Sequence, residues 1–162
     1  MASGLKNLSD FSHIEVKSAT GFHFGIVVAQ WNAAITGALL NGALDGLIKH
    51  GSSEDSITVI EVPGSYELIT GADIILRDSK FDAVICLGCV IQGETRHFDF
   101  ICDAVANGIS NVSIKYNKPV IFGVLTTDNQ QQAVDRAGGI HGNKGEEAAI
   151  TAIQMAHIHK AF

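Results

Sequence analysis

From about residue 22 onward the chain alternates between short unbroken apolar runs and longer stretches with a helical period. The runs cover residues 24–29, 57–62, 83–88 and 120–125. Each has strand length and little apolar–polar alternation. That pattern is expected of strands covered on both faces, as in a parallel sheet. Between the runs, apolar residues recur every three or four positions. Asn32 is placed to cap a helix that turns Ile35, Leu39, Leu40, Ala43, Leu44, Leu47 and Ile48 inward, with Gly51 as its stop. Ser65 is placed to cap a second, with Ile69, Ala72, Ile75 and Leu76 inward. Thr95 is placed to cap a third, carrying Phe98, Ile101, Val105, Ile109 and Val112. Residues 129–137 predict a short helix, and residues 144 to about 159 a last one, apolar over much of its circumference. Four alternations of strand and helix predict an α/β fold: a three-layer sandwich with a four-stranded parallel sheet and helices on both faces. Residues 1–21 show no period and read as an N-terminal arm, and residues 22–162 as a single domain. No internal repeat, linker or low-complexity segment interrupts the pattern.

Composition sharpens this picture. A chain of 162 residues is one domain by length and can bury a core without disulfides or a metal staple. Charged residues make up 17% and hydrophobic ones 46%, with a mean hydropathy of +0.23. That excludes disorder and provides more apolar surface than a lone monomer needs, so an oligomer is expected. The net charge is −6 and no Lys/Arg cluster occurs, which argues against nucleic acid or an anionic membrane as the main partner. An anion would have to be held by a few placed groups. No apolar run is long enough to span a membrane, and the first residues lack a signal-peptide core. Three cysteines, an odd number, point to free thiols in a reducing cytoplasm.

In an open parallel sheet, ligands bind beyond the carboxyl ends of the strands. Four segments lie there: Gln30-Trp31-Asn32, Pro63-Gly64-Ser65-Tyr66-Glu67, residues 89–97, and Thr126-Thr127-Asp128-Asn129. Trp31 either stacks on a flat aromatic ligand or covers the top of the core. Ser65, Tyr66 and Glu67 either hydrogen-bond a ligand edge or form an ordinary strand-to-helix turn. Gly93-Glu94-Thr95 opens a helix, where backbone N–H groups and the Thr95 hydroxyl make a phosphate seat. It is not a P-loop, because no Gly-Lys-Ser/Thr follows. His97, in the first turn of that helix, suits proton transfer near neutral pH or else packs locally. Arg136, followed by Ala137-Gly138-Gly139, and Lys144, within Gly142-Asn143-Lys144-Gly145, either reach an anion or satisfy helix ends. Cys86 and Cys89 form a C-x-x-C, but residues three apart in a strand face opposite ways, which excludes a redox or zinc motif. The remaining histidines have no ligand-like grouping.

Taken together, these segments resemble the 6,7-dimethyl-8-ribityllumazine synthase family of riboflavin biosynthesis. The matching pieces are Trp31-Asn32, residues 62–67, residues 87–98, residues 119–126, Asp135-Arg136-Ala137-Gly138 and Gly142-Asn143-Lys144-Gly145. They cover about residues 20 to 160. No single motif is decisive, but the set in this order is highly specific. The resemblance implies a flavodoxin-like sheet and the condensation of 5-amino-6-(D-ribitylamino)uracil with 3,4-dihydroxy-2-butanone 4-phosphate, the penultimate step of the pathway. It implies that Trp31 stacks on the pyrimidine, that Ser65, Tyr66 and Glu67 meet the ribityl side, and that Cys89, Val90 and Ile91 line the pyrimidine edge. Glu94, Thr95 and Arg136 would hold the phosphate, His97 would move protons, and a neighbouring subunit would supply Phe122. Asn32 and Lys144 are further candidates near the site. The family builds pentamers, in some members joined into decamers or larger shells, and needs no metal or redox cofactor. Gln92 replaces a commonly basic position, and Trp31 a frequent phenylalanine. The competing reading is a non-catalytic flavin- or lumazine-binding shell protein with the same pocket. A flavodoxin-like electron carrier fits less well, because no Ser/Thr-rich phosphate loop follows the first strand.

Overall fold

The computed structural model of the protein describes residues 9–11 and 14–162. Its elements follow the order β1 (Phe24–Ala29), α1 (Ala33–Lys49), β2 (Ile57–Val62), α2 (Leu68–Leu76), β3 (Ala83–Ile91), α3 (His97–Tyr116), β4 (Val120–Thr127), α4 (Gln130–Arg136), β5 (Ala137–Gly139), β6 (Gly142–Asn143) and α5 (Lys144–Ala161). The four long strands form a parallel sheet in the order β2-β1-β3-β4. Every residue of the central strand β1 is buried, as its unbroken apolar run requires. Strands β3 and β4 run past the apolar stretches to Ile91 and Thr127, because the pairs Val90↔Thr126 and Ile91↔Thr127 continue the ladder. In β4 the pairing outlasts the hydrophobic pattern at Thr126 and Thr127, whereas β3 stays apolar through Ile91.

Two apolar layers enclose the sheet. On one face Phe24, Ile26, Ile85 and Leu87 pack against α1 and α5 through Ile35, Leu39, Leu47 and Ile153. On the other face Val27, Val84 and Cys86 pack against α2 and α3 through Leu68, Ala72, Val105 and Ile109. This is the three-layer α/β sandwich the sequence predicts. Alternate residues of one strand feed opposite layers, so Cys86 and Cys89 fall on different faces. Helices α1 and α5 meet closely because Gly145 has no side chain: a β-carbon there would stand 1.8 Å from the Leu39 carbonyl oxygen.

The helix starts differ from the sequence expectation in instructive ways. Asn32 stands at the head of α1, but its side chain does not cap it, since its backbone is left-handed at φ 61°. Ser65 does not cap α2 either. Turns from Glu67 N–H to the Gly64 carbonyl and from Leu68 N–H to the Ser65 carbonyl delay the helix to Leu68. Thr95 lies just before α3, and its hydroxyl accepts the His97 N–H at 3.4 Å. Ile48 is exposed rather than inward, because Leu47 already fills the core-facing direction of that turn. The side chains of Asn129 and Asn143 do cap α4 and α5. The β5–β6 hairpin carries no apolar pattern. It is closed by the His141 N–H to the Asp135 carbonyl and by Arg136 Nη1 to the His141 carbonyl.

Of residues 1–21, Ala19 is buried in the α1/α5 layer, and Ser9 exchanges hydrogen bonds with the Asn143 backbone. Residues 1–8, 12 and 13 of that stretch lie outside the described residues. Among the described residues, no helix is long and apolar enough to cross a membrane.

Candidate active site

A cavity of about 620 Å³ opens at the carboxyl ends of β1, β2 and β3. Four segments build its walls. The end of β1 contributes Trp31 and Asn32, and the β2–α2 turn contributes Gly64 to Glu67. The end of β3 contributes Cys89, Val90 and Ile91, and the first turns of α3 contribute His97 and Ile101. Trp31 is 73% exposed, so it does not serve as a lid on the core. Its indole is free to stack on a planar ligand in the cavity. Tyr66 is likewise exposed, whereas Ser65 is buried beside β3. Gly88 makes that seat: a β-carbon there would stand 2.7 Å from Ser65 Oγ.

Backbone rungs tie these segments together. Gln30 N–H donates to the Val62 carbonyl at 2.8 Å, and Trp31 N–H to the Pro63 carbonyl at 3.1 Å. Asn32 Nδ2 donates to the Cys89 carbonyl at 3.0 Å. Gln92 N–H donates to the Thr127 carbonyl at 2.8 Å. The cavity floor therefore continues the sheet past its regular ladder. Burial pushes the Cys89 thiol up to about 11 and the Cys86 thiol up to about 12. Neither is a thiolate at neutral pH, so the cavity holds no ready sulfur nucleophile. The titratable group from α3 that faces the cavity is His97, which is itself exposed. Among the described residues, no three His, Cys, Asp or Glu side chains gather as a metal site.

The remaining candidates stand elsewhere. Glu94 and Thr95 are exposed in the loop before α3 and do not form the cavity wall. Phe122 and Lys144 share a second hollow of about 370 Å³ between β4, α3 and α5. Arg136 ends α4, and its guanidinium meets Glu147 with Nη1–Oε1 at 2.9 Å. Its Nη2 donates to Glu147 Oε2 at 3.2 Å, and its Nη1 donates to the His141 carbonyl at 3.0 Å. Lys144 Nζ lies 3.2 Å from the same Glu147 Oε2. One carboxylate thus carries two cations and leaves the cluster with a net positive charge. The Arg136 and Glu147 side chains are each only 14% exposed, so the pair is little screened. Sequence reasoning passed over Glu147. Its helical spacing from Lys144 could have signalled it, but its pairing with Arg136 depends on the hairpin.

Comparison with known proteins points to one family. The family model of 6,7-dimethyl-8-ribityllumazine synthase matches residues 21–160. A 6,7-dimethyl-8-ribityllumazine synthase of Cytophaga hutchinsonii is 59% identical over 155 residues, which cover 96% of this chain and 97% of the relative. Its namesake in Flavobacterium johnsoniae is 51% identical over 160 residues, covering 99% and 84%. That of Parabacteroides distasonis is 50% identical over 157 residues, covering 97% and 98%. With the strand-end segments converging on one cavity and the match running nearly end to end, the chain belongs to the 6,7-dimethyl-8-ribityllumazine synthase family.

Proposed function

We infer that this chain is a transferase of riboflavin biosynthesis. It condenses 5-amino-6-(D-ribitylamino)uracil with 3,4-dihydroxy-2-butanone 4-phosphate to 6,7-dimethyl-8-ribityllumazine, releasing phosphate and water. One observation carries the reading: Trp31, Ser65 to Glu67, Cys89 to Ile91 and His97 all line one cavity in a chain of this family. The pyrimidine lies against the Trp31 indole, with its polar edge on the backbone groups of Cys89 to Ile91. Its ribityl chain meets Ser65, Tyr66 and Glu67. The 5-amino group attacks the ketone, and loss of water gives an imine. A proton leaves the neighbouring carbon as phosphate departs. The resulting enol returns to a ketone, the ribityl-bearing nitrogen closes onto it, and a second water leaves. Every step moves protons, and His97, which lines the cavity, moves them. Holding both substrates aligned contributes much of the acceleration, up to about 7–11 kcal/mol for well-oriented reactants.

The phosphate falls to Arg136 with Glu94 and Thr95. Phe122, Lys144 and Arg136 lie outside their own chain's cavity, which supports a site shared between two copies: one gives the cavity, the next gives the β4–α5 hollow. The exposed apolar side chains Ile114, Met155, Ile158 and Phe162 beside that hollow support such contact. The assembly is a homopentamer or a multiple of it, acting in the cytoplasm, with residues 1–21 as an arm and residues 22–162 as the catalytic domain. The test is to mix both substrates with the purified protein and follow lumazine fluorescence together with phosphate release. One phosphate per lumazine, well above the uncatalysed rate, is expected. Lumazine at the background rate overturns the reading.

A further inference from the structure

We propose that Asn32 is a positioning residue, which fixes Trp31 relative to the end of β3 through its left-handed backbone and its side-chain amide; this rests on the reading of the cavity as the pyrimidine site. Asn32 has φ 61° and ψ 45°, and among the described residues only Asn117, at the end of α3, is another non-glycine with positive φ. A residue entering a helix normally has extended backbone and turns its side chain onto the helix N–H groups. Asn32 does neither. Its Nδ2 reaches 57 positions along the chain to the Cys89 carbonyl, at 3.0 Å.

The reason lies in the ladder. The β1–β3 pairing ends at Val28↔Leu87, so the Cys89 carbonyl has lost its strand partner on that side. Cys89 is buried, and a buried carbonyl without a partner is costly, so the Asn32 amide supplies the missing rung. On the other side, the Trp31 N–H is held by the Pro63 carbonyl. Trp31 is therefore stitched to β2 by its own backbone and to β3 by the next residue's side chain. The same rung holds the peptide at Cys89, whose neighbours Val90 and Ile91 form the facing wall. Asparagine joins the two properties required, tolerance of the left-handed region and a short side chain that donates. Glycine keeps the backbone and loses the rung. Aspartate keeps the shape and sets an acceptor against a carbonyl.

The experiment compares Asn32→Gly and Asn32→Asp with the wild type in the intact assembly. Trp31 is the only tryptophan, so its fluorescence reports on its own site. Titration with 5-amino-6-(D-ribitylamino)uracil should quench the wild type. Both variants should need roughly ten times more of it for the same quench, the equivalent of one hydrogen bond. KM for the pyrimidine should rise in step, while KM for the butanone phosphate changes little, and Asn32→Gly should keep the wild-type thermal midpoint within a few degrees. Variants that bind the pyrimidine like the wild type overturn the proposal. Equal rises in KM for both substrates, together with a large fall in the melting midpoint, also overturn it, because Asn32 would then only hold the fold. A wild type whose Trp31 does not respond to the pyrimidine instead overturns the reading of the cavity, and the proposal with it.

Discussion

His97 stands at the cavity with no side-chain hydrogen bond to fix it among the described residues, and its backbone N–H is tied to Thr95. In the proposed reaction that leaves the side chain free to serve several proton transfers in one turnover. His97→Ala should lower turnover by about 10²–10⁴-fold while leaving pyrimidine binding nearly intact. The residual rate should stay above background, because Trp31, the β2–α2 turn and the end of β3 still place the substrate. Added imidazole should recover part of the loss. Steady-state kinetics with separate binding titration checks this, and loss of pyrimidine binding would show that His97 organises the cavity instead. The cysteines permit an independent test. Burial raises the Cys86 and Cys89 thiols to about 12 and 11, so both stay protonated at pH 8. Mass spectrometry after brief alkylation at that pH should find them unmodified, with the half-buried Cys102 labelled first. At this scale the sequence was legible wherever chemistry and position coincide. Trp31, Ser65 to Glu67 and His97 all follow a strand end or open a helix. Ser65 does not cap α2 as its position suggests, because the space beside Gly88 draws its hydroxyl against the sheet.

At the scale of elements, α2 and α3 are joined by a charged lattice as well as by apolar packing. Asp73 on α2 accepts Arg77 Nη2 at 2.8 Å and the Tyr116 hydroxyl at 3.0 Å, and also pairs with Lys115 of α3. Lys115 and Arg77 hold the Asp73 carboxyl at about 2, below its ordinary 3.8. A lowered folded-state value means that the stabilisation is complete above the unfolded value. It is then lost as pH falls from about 4 through about 2. Arg77 and Lys115 are 68% and 60% exposed, so solvent screens the lattice and its contribution is on the order of 1 kcal/mol. Urea unfolding at pH 6 and at pH 2.5 should show Asp73→Asn less stable than the wild type at the first, with most of that gap closed at the second. A gap of the same size at both would remove the lattice as its cause. The helices and strands themselves were readable, because burial on both faces leaves an apolar run and one-sided burial leaves a stripe. The β5–β6 hairpin was not, since it is closed by backbone and arginine hydrogen bonds that have no period.

For the whole molecule, the separation of the cavity from the Phe122–Lys144–Arg136 group leads to a test by mixing. Arg136→Ala alone should raise KM for the phosphate substrate roughly 10- to 100-fold, the equivalent of one charge-assisted bond. Trp31→Ala alone should chiefly weaken the pyrimidine. In a shared site, subunits of the two variants assembled together create some interfaces that carry both native halves. Dissociating, mixing and reassembling the two proteins should therefore yield more activity than the sum of the separate preparations. Activity that only adds would place the whole site within one chain.

The sequence by itself determined the parallel sheet, its two helical layers and the strand-end segments that carry the cavity. These follow from local periodicity and from the rule that parallel strands end together at one edge. Tertiary structure alone decided that Asn32 supplies a rung to Cys89 rather than a helix cap. It likewise decided that Glu147 gathers Arg136 and Lys144, and that Phe122 faces a different hollow from Trp31. The physical reason is common to all three. Each depends on where two distant stretches of chain come to rest: the amide beside an unpaired carbonyl, the carboxylate beside a guanidinium across a hairpin, the phenyl ring on the far strand of the sheet. Spacing along the chain encodes which face a residue takes, and only the folded chain settles what it meets there.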